Sequence, residues 1–378
     1  MPDSDGVVTS VTGVACPRIA MLLVVVTVCT AACMGIGPGT VNRDRFEYTT
    51  AVAESWKRQM LLNLVKLRYG DTPIFLDVGQ IVAGYTVQST LTAAATANVF
   101  GWSSAPHPTF PDASVGLGAQ GSFTDRPTIT YSPLAGERFA RAMMTPLPPT
   151  SIMSLIQAGY PADGVFRLAV HVVNGLHNRY GGDLRARVGD PEFYELLGHL
   201  RRIQVSGLID LRVQRVGPEE AVVLSLRQRR DPTVDAEILA ARKLLGLDPT
   251  ATEYRIMYGA VAANNREIAM LTRSILEVLI DLSSFISVPA AHVAERRVGP
   301  TSADDEGPEG RIAPLLRIAT AMERPDDAFA AVPYRGYWFW IDDRDLASKK
   351  LFTFLMFIFT LVETATKEAP PVVTIPAQ

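Results

Sequence analysis

The stretch from Thr86 to Tyr131 constrains the fold most, because its residues alternate with a period of two. From Thr86 to Val99 the odd positions are Val87, Ser89, Leu91, Ala93, Ala95, Ala97 and Val99, while the even ones are mainly Thr, Gln and Asn. Successive residues of a strand face opposite sides, so the pattern predicts a strand with one apolar face. A second run, Val115, Leu117, Ala119, Gly121 and Phe123, alternates with Ser, Gly, Gln and Thr, and Ile129 with Tyr131 continues it past Pro127. The two runs predict a long β-hairpin whose connecting loop carries Phe100, Trp102 and Phe110. In one reading the apolar face lies on the protein's own helices and the other face meets water. In another the hairpin enters a membrane, where a crossing strand needs about 9 to 11 residues with aromatics at the interface. A lone hairpin has unsatisfied edges in lipid, so that reading requires several copies to close one barrel. The candidate membrane or oligomer contacts are Val87, Leu91, Trp102, Phe110, Leu117 and Phe123. A disordered or partner-binding loop is the third reading.

Ahead of this region, Ile19 to Cys33 is an apolar run ending Thr30-Ala31-Ala32-Cys33. Its core of about 14 residues is shorter than the roughly 20 that span a bilayer as a helix, and it fits the core of a signal peptide. The last four residues resemble the lipobox of bacterial lipoproteins, with Thr30 where Leu is usual. That resemblance implies cleavage before Cys33 and acylation of its sulfur. Met34 is not the Asp that usually signals inner-membrane retention, so the resemblance also implies the periplasmic face of the outer membrane. An ordinary secretory signal and an uncleaved anchor are the alternatives. The three cysteines are Cys16, Cys29 and Cys33. Cleavage before Cys33 leaves no pair to form a disulfide, and the fold must rest on its core.

Composition shifts divide the chain into a signal peptide (1–32), a lipidated Gly-rich tether (33–44), a helix-plus-hairpin region (45–145), an α+β body (146–298), an acidic Gly-rich linker (299–310), a C-terminal unit (311–368) and a Pro-rich tail (369–378). Periodic Val52, Trp56, Met60, Leu64 and Leu67 predict a helix from Phe46 to Tyr69, capped by Gly70. Its cations Lys57, Arg58, Lys66 and Arg68 suit the helix dipole or, alternatively, anionic headgroups. Further helices are expected over Ser151–Ala158, Asp163–His177 and Pro191–Val205, with Asn174-Gly175 as a competing hairpin turn. Beyond Gly207 the order strand, strand, helix recurs three times, the last as Leu315–Ala319, Tyr334–Ile341 and Leu346–Glu363. This order predicts an α+β fold with an antiparallel sheet and helices on one face. The run Leu351–Val362 reads as a helix buried on all sides.

Signatures of chemistry are sparse. The chain has no phosphate loop, HExxH or GxSxG motif. Of the five histidines, His171 and His177 lie six residues apart, about 120° around a helix, which does not suit a shared metal. Asp342, Asp343 and Asp345 can be read as a divalent-ion site or, more simply, as caps of the following helix. No catalytic residue, cofactor or metal ligand is assigned. The net charge of −3 argues against nucleic acid as a partner. The expected function is that of an outer-membrane lipoprotein facing the periplasm, a structural or interaction component of an envelope assembly. Its partners are then the membrane, through the lipid anchor, and a second copy or another envelope protein. The alternatives are an oligomeric pore or export-channel subunit that inserts the 86–131 hairpin, and a periplasmic hydrolase.

Overall fold

The computed structural model describes residues 38–82, 85–97, 113–125, 128–181, 186–207, 209–216, 219–226, 232–308 and 310–364. The chain divides into two compact units, Met1–Trp56 and Lys57–Gln378. In the first unit the described residues are helical, part of α1 (Pro38–Arg68). Residues 38–44, expected to be a flexible tether, therefore belong to a helix. Pro38 is compatible with this because the first turn has no amide partner to lose.

Within the second unit, Leu61, Leu64 and Val65 of α1 are completely buried. Gly70 ends the helix with a φ of 71°. The Asp71 amide then reaches the Lys66 carbonyl at 2.8 Å and the Gly70 amide that of Leu67 at 3.1 Å. This pairing satisfies carbonyls that the helix leaves orphaned. Buried Asn63 clasps the chain that follows: its Nδ2 donates to the Ile74 carbonyl at 2.8 Å and its Oδ1 accepts from the Ile74 amide at 3.0 Å. Arg68 is buried as well, and its Nη2 donates to the carbonyls of Gly299 and Pro300 at 2.7 and 2.8 Å. This cation ties α1 to the 299–310 stretch and does not face a headgroup.

Strands β1 (Phe75–Val82), β2 (Tyr85–Ala97), β3 (Ala113–Asp125) and β4 (Thr128–Leu134) follow. They form two antiparallel ladders, β1 with β4 and β2 with β3. The hairpin expected over 86–131 is represented by the β2–β3 ladder, whereas Ile129 and Tyr131, expected to continue its second strand, lie in β4 opposite Ile81 and Val78 of β1.

The body begins with α2 (Gly136–Met144), α3 (Pro149–Gln157) and α4 (Ala162–Ala169). The helix expected over Asp163–His177 stops at Ala169. β5 (Val170–Val173) and β6 (Leu176–His177) continue as a hairpin. Asn174 and Gly175 turn it with φ of 44° and 83°, the left-handed pair that an Asn-Gly turn supplies. The helical reading failed because Val170, Val172 and Val173 are all buried. A segment buried on both faces has no period to separate helix from strand.

The remaining elements are α5 (Pro191–Val205), β7 (Ile209–Val216), β8 (Glu219–Leu226), α6 (Pro232–Leu244), β9 (Glu253–Tyr258), β10 (Glu267–Thr272) and α7 (Ile275–Ser283). They complete a six-stranded sheet in the order β6-β5-β10-β9-β8-β7. The core lies between this sheet and α3, α4 and α5, where Ile156, Phe166 and Leu196 meet Leu224, Ile256 and Met270. The sheet is antiparallel except between β9 and β10, which run parallel with Glu267 beside Arg255 and Met270 beside Tyr258. The short overlap explains how so brief a connection suffices: the chain need return only about 13 Å. The Arg255 amide bonds the Arg266 carbonyl at 3.0 Å and the Asp248 amide that of Asn265 at 2.8 Å, which hold the returning segment.

After α8 (Ala290–Ala294) comes a small antiparallel pair, β11 (Asp305–Gly307) and β12 (Gly310–Ile312). The C-terminal unit holds β13 (Ala319–Ala321), β14 (Ala328–Tyr334) and β15 (Tyr337–Asp342), ordered β13-β15-β14, and then α9 (Leu346–Thr364). The unit has one strand more than expected, since Ala-rich β14 lacks a strong strand pattern. Leu315–Ala319 is largely not a strand, although Leu316 and Ile318 are buried. Helix α9 is not buried on all sides: Phe352, Leu355, Ile358 and Phe359 are, but Phe357 is 48% exposed. The architecture is α+β, as the element order predicts.

Candidate functional site

The β2–β3 ribbon gathers the residues singled out by alternation. Its register runs without a break through thirteen pairs, from Tyr85 opposite Asp125 to Ala97 opposite Ala113. Val87 is paired with Phe123, Leu91 with Ala119 and Ala93 with Leu117. Directly opposed residues share a face of a sheet, so this register places the apolar positions of both strands on one face. Thr86 with Thr124, Gln88 with Ser122 and Thr90 with Gln120 fall on the other. A slip of one residue would have mixed the two sets. Among the described residues the ribbon is a two-stranded sheet, with no strand paired to either outer edge. Its paired segments contain one charged residue, Asp125, at the end nearer β4. Soluble proteins commonly protect such edges with charge or proline. Of the six candidate contacts, Val87, Leu91, Leu117 and Phe123 sit in this ladder; Trp102, Phe110 and the lipidation candidate Cys33 lie outside the described residues.

Three of the described histidines, His171, His199 and His292, make contacts within the body of the fold. His199 on α5 bonds Glu237 on α6 through Nδ1 at 2.5 Å, while its Nε2 lies 3.8 Å from Glu195. The Glu237 bond fixes the His199 ring between α5 and α6. Arg202 Nε also reaches Glu237 at 2.8 Å. Burial pushes the Glu237 carboxyl up, and the bonds from His199 and Arg202 more than reverse this, leaving its pKa below the usual value. His292 is buried and bonds the Tyr69 hydroxyl at 2.7 Å. His171 packs edge-on to Tyr180, and burial, then Arg273, push its pKa down.

Of the carboxylates after β15, Asp345 caps the helix. Asp345 accepts from the Ser348 amide at 3.1 Å and from the Ser348 hydroxyl at 2.8 Å, which satisfies the first turn of α9. Asp343 pairs with Lys349 at 2.6 Å, and Asp342 accepts from the Arg344 amide at 2.9 Å. Among the described residues no three His, Cys, Asp or Glu side chains are grouped as a metal would need. Among them, too, no helix is long and apolar enough to cross a membrane.

One charged cluster escaped the sequence reading. Asp281 of α7, 3% exposed, accepts from Arg273 Nη1 at 3.0 Å and from the Gly181 amide at 2.7 Å. Arg179 lies 3.6 Å from both Asp281 and Asp305 and stacks over the Phe285 ring at 3.9 Å. Tyr194 of α5 donates to Asp305 at 2.8 Å, and burial followed by this bond raises its pKa. Two arginines and two aspartates balance in charge, so the cluster can persist under cover where a lone ion could not. It joins α5, α7, β11 and the loop after β6, and serves as a brace. The signal available in the sequence was Asp281 itself, which lies three residues after Val278 on the apolar side of α7.

Comparison with known protein families, curated proteins and solved structures finds no match to any of them.

Proposed function

We propose that this protein is a lipid-anchored component of the bacterial outer membrane, facing the periplasm, that assembles through its β2–β3 ribbon. The supporting observation is the thirteen-pair amphipathic register with unpaired, almost uncharged outer edges. Such edges are templates for another strand, and edge-to-edge pairing between copies satisfies their amides and carbonyls. Cys33 supplies the anchor in this reading, by its resemblance to a lipobox cysteine. The test is cross-linking and native mass of the full chain extracted from membranes. Leu91→Asp with Leu117→Asp should abolish the oligomer, and Cys33→Ser should move the protein out of the membrane fraction. Unchanged assembly in the double variant would refute the role of the ribbon.

A second reading, that ribbons from a ring of copies close a barrel through the membrane, is favoured by length and charge. Thirteen residues per strand exceed the roughly 9 to 11 that a tilted membrane strand needs. Residues 85–97 and 113–124 carry no charge. Protease resistance of 85–125 only in the presence of membranes would favour the barrel over a periplasmic scaffold.

A further inference from the structure

Between α4 and α9 lies a groove of about 910 Å³, lined by no residue of the ribbon. We propose that it binds a long-chain fatty-acid anion. Its walls are Val165, Leu315, Phe329, Leu351, Phe354 and Phe357. The exposed side of α9 supplies the floor: Phe357 is 48% exposed, and Phe354 stacks on Tyr160 with ring centroids 4.6 Å apart. A soluble helix with one covered apolar face ordinarily turns polar residues outward, and here aromatics line a concavity instead. The volume is in the range of small-molecule sites, which combine apolar walls with a few placed polar groups.

Charge selects the ligand. Arg167, Lys349 and Lys350 line the groove, and no carboxylate does. Lys349 is partly neutralised by Asp343. Arg167 gives Nη2 to the neutral Ala313 carbonyl at 2.7 Å and has no ion pair within 4.0 Å among the described residues. Burial lowers its pKa, and Tyr194, Asp305, Asp163 and Asp281, which raise it, offset this only in part. Lys350, also on the lining, is exposed. An acyl chain along Phe354 and Phe357 with its carboxylate toward Arg167 and Lys350 meets both requirements. A neutral or cationic amphiphile meets only the first.

The full chain in phosphatidylcholine nanodiscs should be photolabelled by a diazirine-bearing palmitic acid, with adducts mapped to α4 and α9. Palmitate should compete, whereas hexadecanol and hexadecyltrimethylammonium should compete far less. Losing a charge-assisted hydrogen bond weakens binding by about tenfold or more, so Arg167→Gln and Lys350→Glu should each raise the competing palmitate concentration to that degree. Lys350 is exposed, so its variant tests the site without disturbing the fold, which its thermal melt verifies. Adducts elsewhere, equal competition by the cationic amphiphile, unaltered binding in Lys350→Glu, or a co-purified protein found seated in the groove would each overturn the proposal.

Discussion

Replacing Asp281 should destabilise the body severely without touching the ribbon. Its carboxylate is 3% exposed and holds Arg273, itself 1% exposed, together with the Gly181 amide. Asp281→Ala strands a buried guanidinium and a buried amide at once. Breaking a buried pair from one side costs about 3–5 kcal/mol, a large share of the roughly 5–15 kcal/mol of a typical domain. Asp281→Asn keeps an oxygen for Gly181 but removes the charge, so it should cost less than Ala and still be clearly destabilising. Arg273→Met removes the partner as well, and the double variant Arg273→Met/Asp281→Ala should be more stable than the sum of the single changes predicts. Coupling of about 0.5–3 kcal/mol is usual for residues in direct contact. Urea unfolding followed by both tryptophan fluorescence and circular dichroism measures each corner of the cycle. If Asp281→Ala stays within about 1 kcal/mol of the parent, or the cycle is additive, the brace is not what holds these elements together.

Two further outcomes follow from the same region. The His171 pKa lies below its ordinary value of 6.5 because of burial and Arg273, with His177 and Arg187 adding to Arg273's repulsion and Glu277 opposing it. The unfolded chain therefore takes up this proton first, and stability is lost as pH falls through 6.5 toward the folded pKa. The thermal midpoint should decline over that window, and less so in His171→Gln; equal declines would exclude His171 as the cause. Asp190, Glu237 and Asp345 act in a separate window, because their lowered pKa values remove stability only below about pH 5. Gly189→Ala would place a methyl 2.6 Å from the Tyr194 hydroxyl and 2.9 Å from the Arg179 backbone nitrogen. Overpacking there should cost about 1–3 kcal/mol and shift the urea midpoint, and an unchanged midpoint would show that Tyr194 can yield.

What was legible in the sequence tracks what physical information is local. The ribbon could be read because period two over more than ten residues has no helical counterpart, and because pairing the apolar sets in register leaves one arrangement. The cap of α9 could be read because carboxylates, Asp345 among them, stand just ahead of an apolar helical run. The end of α4 could not, since buried Val170, Val172 and Val173 suit either a helix or a strand; only Asn174-Gly175 pointed to the turn. The parallel pairing of β9 with β10 was hidden for a different reason. A connection of that length fits a hairpin equally well, and the decision rests on the neighbour β5, whose ladder to β10 is antiparallel.

The brace and the groove show two opposite limits of patterning. Asp281 is a polar residue in an apolar position, an anomaly that one segment displays by itself and that physics converts into a demand for a buried cation. The sequence thus announces that a partner exists, while the partners Arg273, just before the helix, and Arg179, about a hundred residues earlier, are brought to it by the fold. The groove is the converse case. Along Leu351–Phe359 nearly every position is apolar, so no single residue is anomalous and no face is marked as the exposed one. Only the packing of Phe329 against Phe352 and of Phe75 against Phe359 reveals which face of the helix is covered and that Phe357 is left over. A buried charge can therefore be found from pattern alone and lacks only its address, whereas a surplus of apolar surface becomes visible only when the covered part has been subtracted.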